Sequence, residues 1–240
     1  MKKYWNKLVL LTAALPLLFW GCNKETQFKF DVNSDAYIIR KNIDGEVKSA
    51  TTFYVYANQS ISSATVTPPA GQGEPFHLSR SEESSFTFQK EPSAAEFKSE
   101  TAAPGLYVFD IESSEGVKVQ QVDELEIFNL QVPVITSTTF EPANMALTVK
   151  WDSVANADGY VVKLLTKEER AVFTSYSVSP KTTELSINSA NGHWSTQIYS
   201  GDKIKLNVQA FIFDSDATLV DNIYNIGEIA VAEKEITWGQ

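Results

Sequence analysis

The chain is predicted to be all-β, built as two tandem β-sandwich domains, and three features of the sequence predict it. Valine, threonine, isoleucine, phenylalanine and tyrosine are dense along its length with turn residues between them, and aromatics make up 12% of it, which suits side chains packed on a pleated surface. Apolar and polar residues alternate with period two in segment after segment, and no window sustains a helical period. The length, 240 residues, leaves room for a leader and two domains of about 100 residues each.

The leader comes first. MKKYWNK carries Lys2, Lys3 and Lys7 with no acid, and an apolar run follows from Leu8 to Trp20, the charged and hydrophobic regions of an export signal. The run is shorter than the roughly 20 apolar residues needed to cross a bilayer, and Pro16 interrupts it. Gly21 and Cys22 then close it, and Cys22 is the one cysteine in the chain. A single exported cysteine has no partner within its own chain. A small residue followed by cysteine behind an apolar run resembles the lipobox of bacterial lipoproteins, with Phe19 and Trp20 as departures from that pattern. The resemblance implies that residues 1–21 are a lipoprotein signal peptide, that the Cys22 sulfur carries the lipid, and that 22–26 is a lipidated tether. Lys24 and Glu25, close behind, look like the short tags that direct some Gram-negative lipoproteins to the outer face of the outer membrane. The expected location is therefore the outer membrane, lipid-anchored, with the cell-surface leaflet favoured over the periplasmic one.

Charge agrees with attachment by lipid. The net charge is −10 even with the three leader lysines counted, a field that repels nucleic acid and anionic headgroups. Nucleic acid is excluded as a partner, and the acids are spread in the manner of a solvated surface.

Residues 27–131 form the first predicted sandwich. Its pieces are QFKFDV, TTFYVYAN, ISSATVTPPAG, PFHLSR, SSFTFQK, PGLYVFDIESSEG and VKVQQV, with Tyr107, Phe109 and Ile111 on one face and SSEG turning the chain into Val117 and Val119. Pro92 in EPSAAEFKSE is placed to open a short helix. The pattern SATVTPPAG followed by PGLYVFDIESSEG is similar to Ig-like repeats of bacterial surface lipoproteins, so an Ig-like fold is expected here. The boundary falls near NLQVPV, where Pro133 opens the second unit after a short, semi-rigid link.

Residues 132–240 form the second. LTVKW puts Leu147, Val149 and Trp151 on one face, YVVKLL puts Tyr160, Val162 and Leu164 together, and GDKIKLNVQAF alternates Ile204, Leu206, Val208 and Ala210 inside with Lys203, Lys205, Asn207 and Gln209 outside. Strands so patterned belong to sheets covered on one side, and two such sheets make a sandwich. The strands are expected near 134–140, 145–151, 159–166, 171–178, 183–188, 203–213 and 226–237. The run VKWDSVANADGYVVKL followed by IKLNVQA resembles a fibronectin type III domain, with Ile204 where that family carries its corner tyrosine. Trp151, with apolar neighbours at two-residue spacing, is read as core.

No constellation for catalysis or cofactor binding emerges. There is no H-E-x-x-H, paired C-x-x-C, G-x-S-x-G or Walker loop, GQGEPF is a turn, and His77 and His193 fall in different halves. No cofactor is expected and the chain is read as a non-enzyme. Asp214, Asp216 and Asp221 in FDSDATLVDN are where oxygen ligands for calcium could gather. The EF-hand pattern fails there at Leu219 and Asn225, so solvated loop acids are the preferred reading and no metal site is assigned.

Trp194 differs from Trp151. It sits in NSANGHWSTQIYSGD, a long polar connection, and loops at the end of a sandwich are where binding residues gather. Trp194, Tyr199 and His193 are taken as candidate ligand contacts. The expected function is a non-catalytic binding or adhesion module on the cell surface, resembling the small accessory lipoproteins of glycan-uptake systems, with polysaccharide as ligand. The alternative is a structural partner subunit of an outer-membrane protein assembly, and the minor alternative is a carboxylate-dependent hydrolase.

Overall fold

The hairpin at residues 32–57 is dictated locally. Asp44 and Gly45 both take positive φ, 56° and 86°, the conformation that a two-residue hairpin turn demands of its central pair. On either side run β1 (Val32–Ile43) and β2 (Glu46–Ala57), paired antiparallel over their full lengths. The fold is known here from a computed structural model, which describes residues 29–82, 84–99, 103–215 and 225–240. The expected signal peptide 1–21 and tether 22–26 with Cys22, and Asp216 and Asp221, lie outside the described residues.

The chain is all-β, as its periodicity predicts. The first half continues with β3 (Ile61–Thr67), β4 (Phe76–His77), β5 (Ser79–Ser81), β6 (Ser84–Lys90), β7 (Gly105–Ser113) and β8 (Lys118–Leu125). The second half holds β9 (Ile135–Glu141), β10 (Ala146–Trp151), β11 (Gly159–Leu165), β12 (Ala171–Thr174), β13 (Glu184–Ile187), β14 (His193–Trp194), β15 (Lys203–Phe213) and β16 (Ile226–Thr237). The short helix expected after Pro92 is a single 3-10 turn, Ala94–Glu96, closed by the Ser93 amide donating to the Glu96 carboxylate at 2.8 Å. No helix among the described residues is long and apolar enough to cross a membrane.

Two strand assignments need correction. Of the described part of QFKFDV, only Val32 is in a strand, β1. Its inward row is Val32, Ser34, Ala36 and Ile38, and two small or polar members blur the alternation that marks a strand in sequence. The strand expected over 171–178 stops at Thr174. There the Ser175 hydroxyl accepts the Val162 amide at 2.9 Å in place of a ladder carbonyl, and pairing resumes only as a bridge between Tyr160 and Val178.

Among the described residues the strands form three sheets. One has nine strands in the order β14-β12-β11-β15-β16-β1-β2-β6-β5, and the smaller ones run β13-β10-β9 and β4-β3-β7-β8. Apolar side chains collect in two clusters, one per half. In the first, Phe53, Val55 and Ile38 of the long sheet meet Val66, Phe109 and Ile111 of the four-stranded sheet. In the second, Tyr160, Leu206 and Val208 of the long sheet meet Leu147, Val149 and Trp151 of the three-stranded sheet. Trp151 is core, 3% exposed, its ring 5.3 Å from that of Tyr160. The Tyr160 hydroxyl accepts the Val154 amide at 2.7 Å and so ties down the β10–β11 loop. Asn207, expected on the wet face, is buried, mid-sheet between Lys163 of β11 and Glu233 of β16.

The halves are joined through the long sheet. β1 pairs with β16 in parallel, Ile38 opposite Glu228 through Lys41 opposite Val231, whereas the other paired strands are antiparallel. Glu228, wholly buried, accepts the backbone amides of Phe128, Asn129 and Leu130 at 3.2, 3.1 and 2.6 Å. Arg40 of β1 lies 2.7 Å from the same carboxylate, an ion pair by distance more than an aligned hydrogen bond, and its Nη2 donates to Asn129 Oδ1 at 2.8 Å. One acid thus pins the link between halves to the seam of the sheet.

Candidate functional site

The segment after β13 is shaped by its own polar side chains. Asn191 Oδ1 accepts the Asn188 amide at 3.0 Å, and Asn188 Oδ1 accepts the Ala190 amide at 2.8 Å. Gly192 follows at φ 67°, where a Cβ would fall 2.4 Å from the Phe173 ring. Only glycine fits this approach. The chain can then lay His193 and Trp194 against β12, pairing Trp194 with Phe173.

Trp194 is fixed on three sides. Its Nε1 donates to the Asn188 carbonyl at 3.0 Å, its ring lies 4.8 Å from Phe173, and it meets Trp238 edge-on at 6.0 Å. Trp238 is held in turn by Phe140 at 5.2 Å and by its amide donating to the Asp202 carbonyl at 2.9 Å. Over these rings opens a cleft of about 520 Å³, lined by Trp194 and Trp238 with Met145, Ser189, Ser195 and Gln197 among its walls. An aromatic floor with hydroxyls and an amide at the rim can stack on a flat apolar face while hydrogen-bonding its edge.

Of the three residues expected to contact ligand, Trp194 lines the cleft. His193 is exposed and pairs with Thr174, and Tyr199 is 63% exposed with its amide donating to Asp202 Oδ2 at 2.8 Å; neither is among the lining residues. Trp238 and Met145 are the residues that sequence reasoning missed. Each lies far from Trp194 along the chain, and no local pattern marks them.

Asp214, the described member of the loop acids, is not a solvated residue. It is 7% exposed at the end of β15, and a carboxylate oxygen of each of Asp35, Asp123 and Asp214 lies within 4.8 Å of the others. Burial pushes the Asp35 carboxyl well above the usual range, the Ile226 amide at 3.0 Å opposes this, and the charges of Asp123 and Asp214 raise it further. A carboxyl whose pKa is higher folded than unfolded favours folding while protonated. Its contribution is complete below about pH 4 and is lost as the pH rises through the folded value. In metal-free buffer, the melting temperature is therefore expected to fall over that window, and Asp35→Asn to flatten the slope. Equal slopes for the two chains in thermal scans across pH would refute this.

No protein-family model matches this chain, and no curated protein matches it, so a functional reading rests on sequence and geometry.

Proposed function

We propose that this protein is a non-catalytic binding module, displayed from the outer membrane by a lipid on Cys22, that takes a glycan in the Trp194–Trp238 cleft. The observation that carries the reading is the cleft itself: a half-buried tryptophan whose ring is locked by Phe173, Trp238 and the Asn188 carbonyl, with Ser189, Ser195 and Gln197 around it. A ring already held in place loses little side-chain freedom when a sugar stacks on it. The net charge of −10 favours a neutral polymer over an acidic one.

Affinity electrophoresis of the fragment from Gln27 to Gln240 against plant, host and microbial polysaccharides tests it. Retardation by at least one neutral polymer is expected. Trp194→Ala should weaken it about tenfold or more, equivalent to ~1.4 kcal/mol, and Trp194→Phe should restore part of it. Retention undiminished in a folded Trp194→Ala chain would move the site elsewhere, and no retention across the panel would overturn glycan binding.

A further inference from the structure

We propose that Asp35, Asp123 and Asp214 form a calcium site that ties the two halves together beside the β1–β16 seam. The three acids come from separate elements: Asp35 from β1 and Asp123 from β8 in the first half, Asp214 from the end of β15 in the second. The long sheet and the β8 return bring them together, since no two are near in sequence.

Neighbouring donors hold Asp35 and Asp123 in place. Asp123 Oδ2 accepts the Ala36 amide at 2.7 Å and its Oδ1 accepts Nδ2 of Asn225 at 2.9 Å. The same Asn225 nitrogen donates to the Ser34 carbonyl at 3.2 Å, and the Ile226 amide occupies Asp35 Oδ2 at 3.0 Å. Asp35 Oδ1, however, is closed off from solvent and takes no hydrogen bond among the described residues. A buried carboxylate oxygen without a donor is an uncommon and costly arrangement. It stands beside two buried acids, and with Asp35 ionised a cation is the species that answers both the vacant acceptor and the crowded charge.

The donor set selects the ion class. Carboxylate oxygens with no sulfur or imidazole suit a hard cation. Two oxygens on one calcium, each about 2.3–2.6 Å from it, lie no more than about 5 Å apart, and the 4.8 Å bound on this cluster falls inside that span. Magnesium, at about 2.0–2.1 Å, would draw the acids closer. Occupancy would clamp the end of β15 and the start of β16 to β1 and β8.

Calcium chloride is titrated by calorimetry into the full chain after treatment with chelator, with thermal unfolding followed in parallel. One saturable calcium per chain is expected, with the melting temperature raised by about 5 °C or more at a hundredfold excess over Kd. Asp35→Asn should abolish both signals while melting, without calcium, at or above the parent temperature, because it removes a buried like charge. Asp214→Asn supplies the same reading should the first variant fail to fold. The absence of binding heat and thermal shift at 10 mM calcium would overturn the site (about ten times the weakest extracellular calcium modules). So would an equal shift in parent and Asp35→Asn chains, and an equal response to magnesium would overturn the choice of calcium.

Discussion

Glu228→Ala is expected to destabilise the chain by about 3–5 kcal/mol, the range for breaking a buried ion pair by removing one partner. Glu228 is fully buried, and its two oxygens serve three consecutive backbone amides as well as Arg40. Alanine leaves the Phe128, Asn129 and Leu130 amides without their acceptor and leaves the Arg40 guanidinium, whose side chain is 13% exposed, without its counter-charge. The strand above it is tightly fitted too: a Cβ on Gly227 would lie 2.2 Å from the Phe128 ring, so the link cannot slide along β16 to find new partners. Urea unfolding measures the effect. A loss under about 1 kcal/mol would mean that water replaces the carboxylate and that the seam does not depend on it.

Phe53→Ala should cost a similar amount, about 3–5 kcal/mol, by opening a cavity in the first core. The ring is fully buried and packs against Phe76, Tyr107 and Phe109 at centroid distances of 4.8, 5.4 and 6.2 Å. Where the loss is felt is the sharper question. The described tryptophans, Trp151, Trp194 and Trp238, all lie in the second half, so their near-ultraviolet circular dichroism reports a core that Phe53 does not touch. Because β1 of one half is hydrogen-bonded to β16 of the other, the tryptophan midpoint and the far-ultraviolet midpoint are expected to fall together. A tryptophan midpoint that stays in place while the far-ultraviolet one falls would show that the halves unfold separately.

The second half is legible in the sequence almost strand by strand. IKLNVQAF became β15 with Ile204, Leu206, Val208 and Ala210 in the core, and LTVKW became β10 with Leu147, Val149 and Trp151 inside, because each strand has one apolar face and alternation with period two records it directly. β1 was illegible for the same reason turned around: Ser34 and Ala36 occupy its inward row, and Asp35 between them is only partly exposed. Trp194 was legible as a tryptophan without local core partners. Its neighbour in the cleft, Trp238, was not, since it follows the last strand with nothing nearby to suggest a binding surface.

By itself, then, the sequence determined the all-β class, the strands of the second half and the faces they bury, since these are properties of a few consecutive residues. Only the tertiary structure decided that the first and last strands pair in parallel, that Glu228 anchors the link, and that Asp35, Asp123 and Asp214 converge. Those contacts join residues such as Ser34 and Asn225, 191 positions apart. Pairing at that range depends on closing long loops and on the register of every intervening strand, and no local pattern of side chains encodes it.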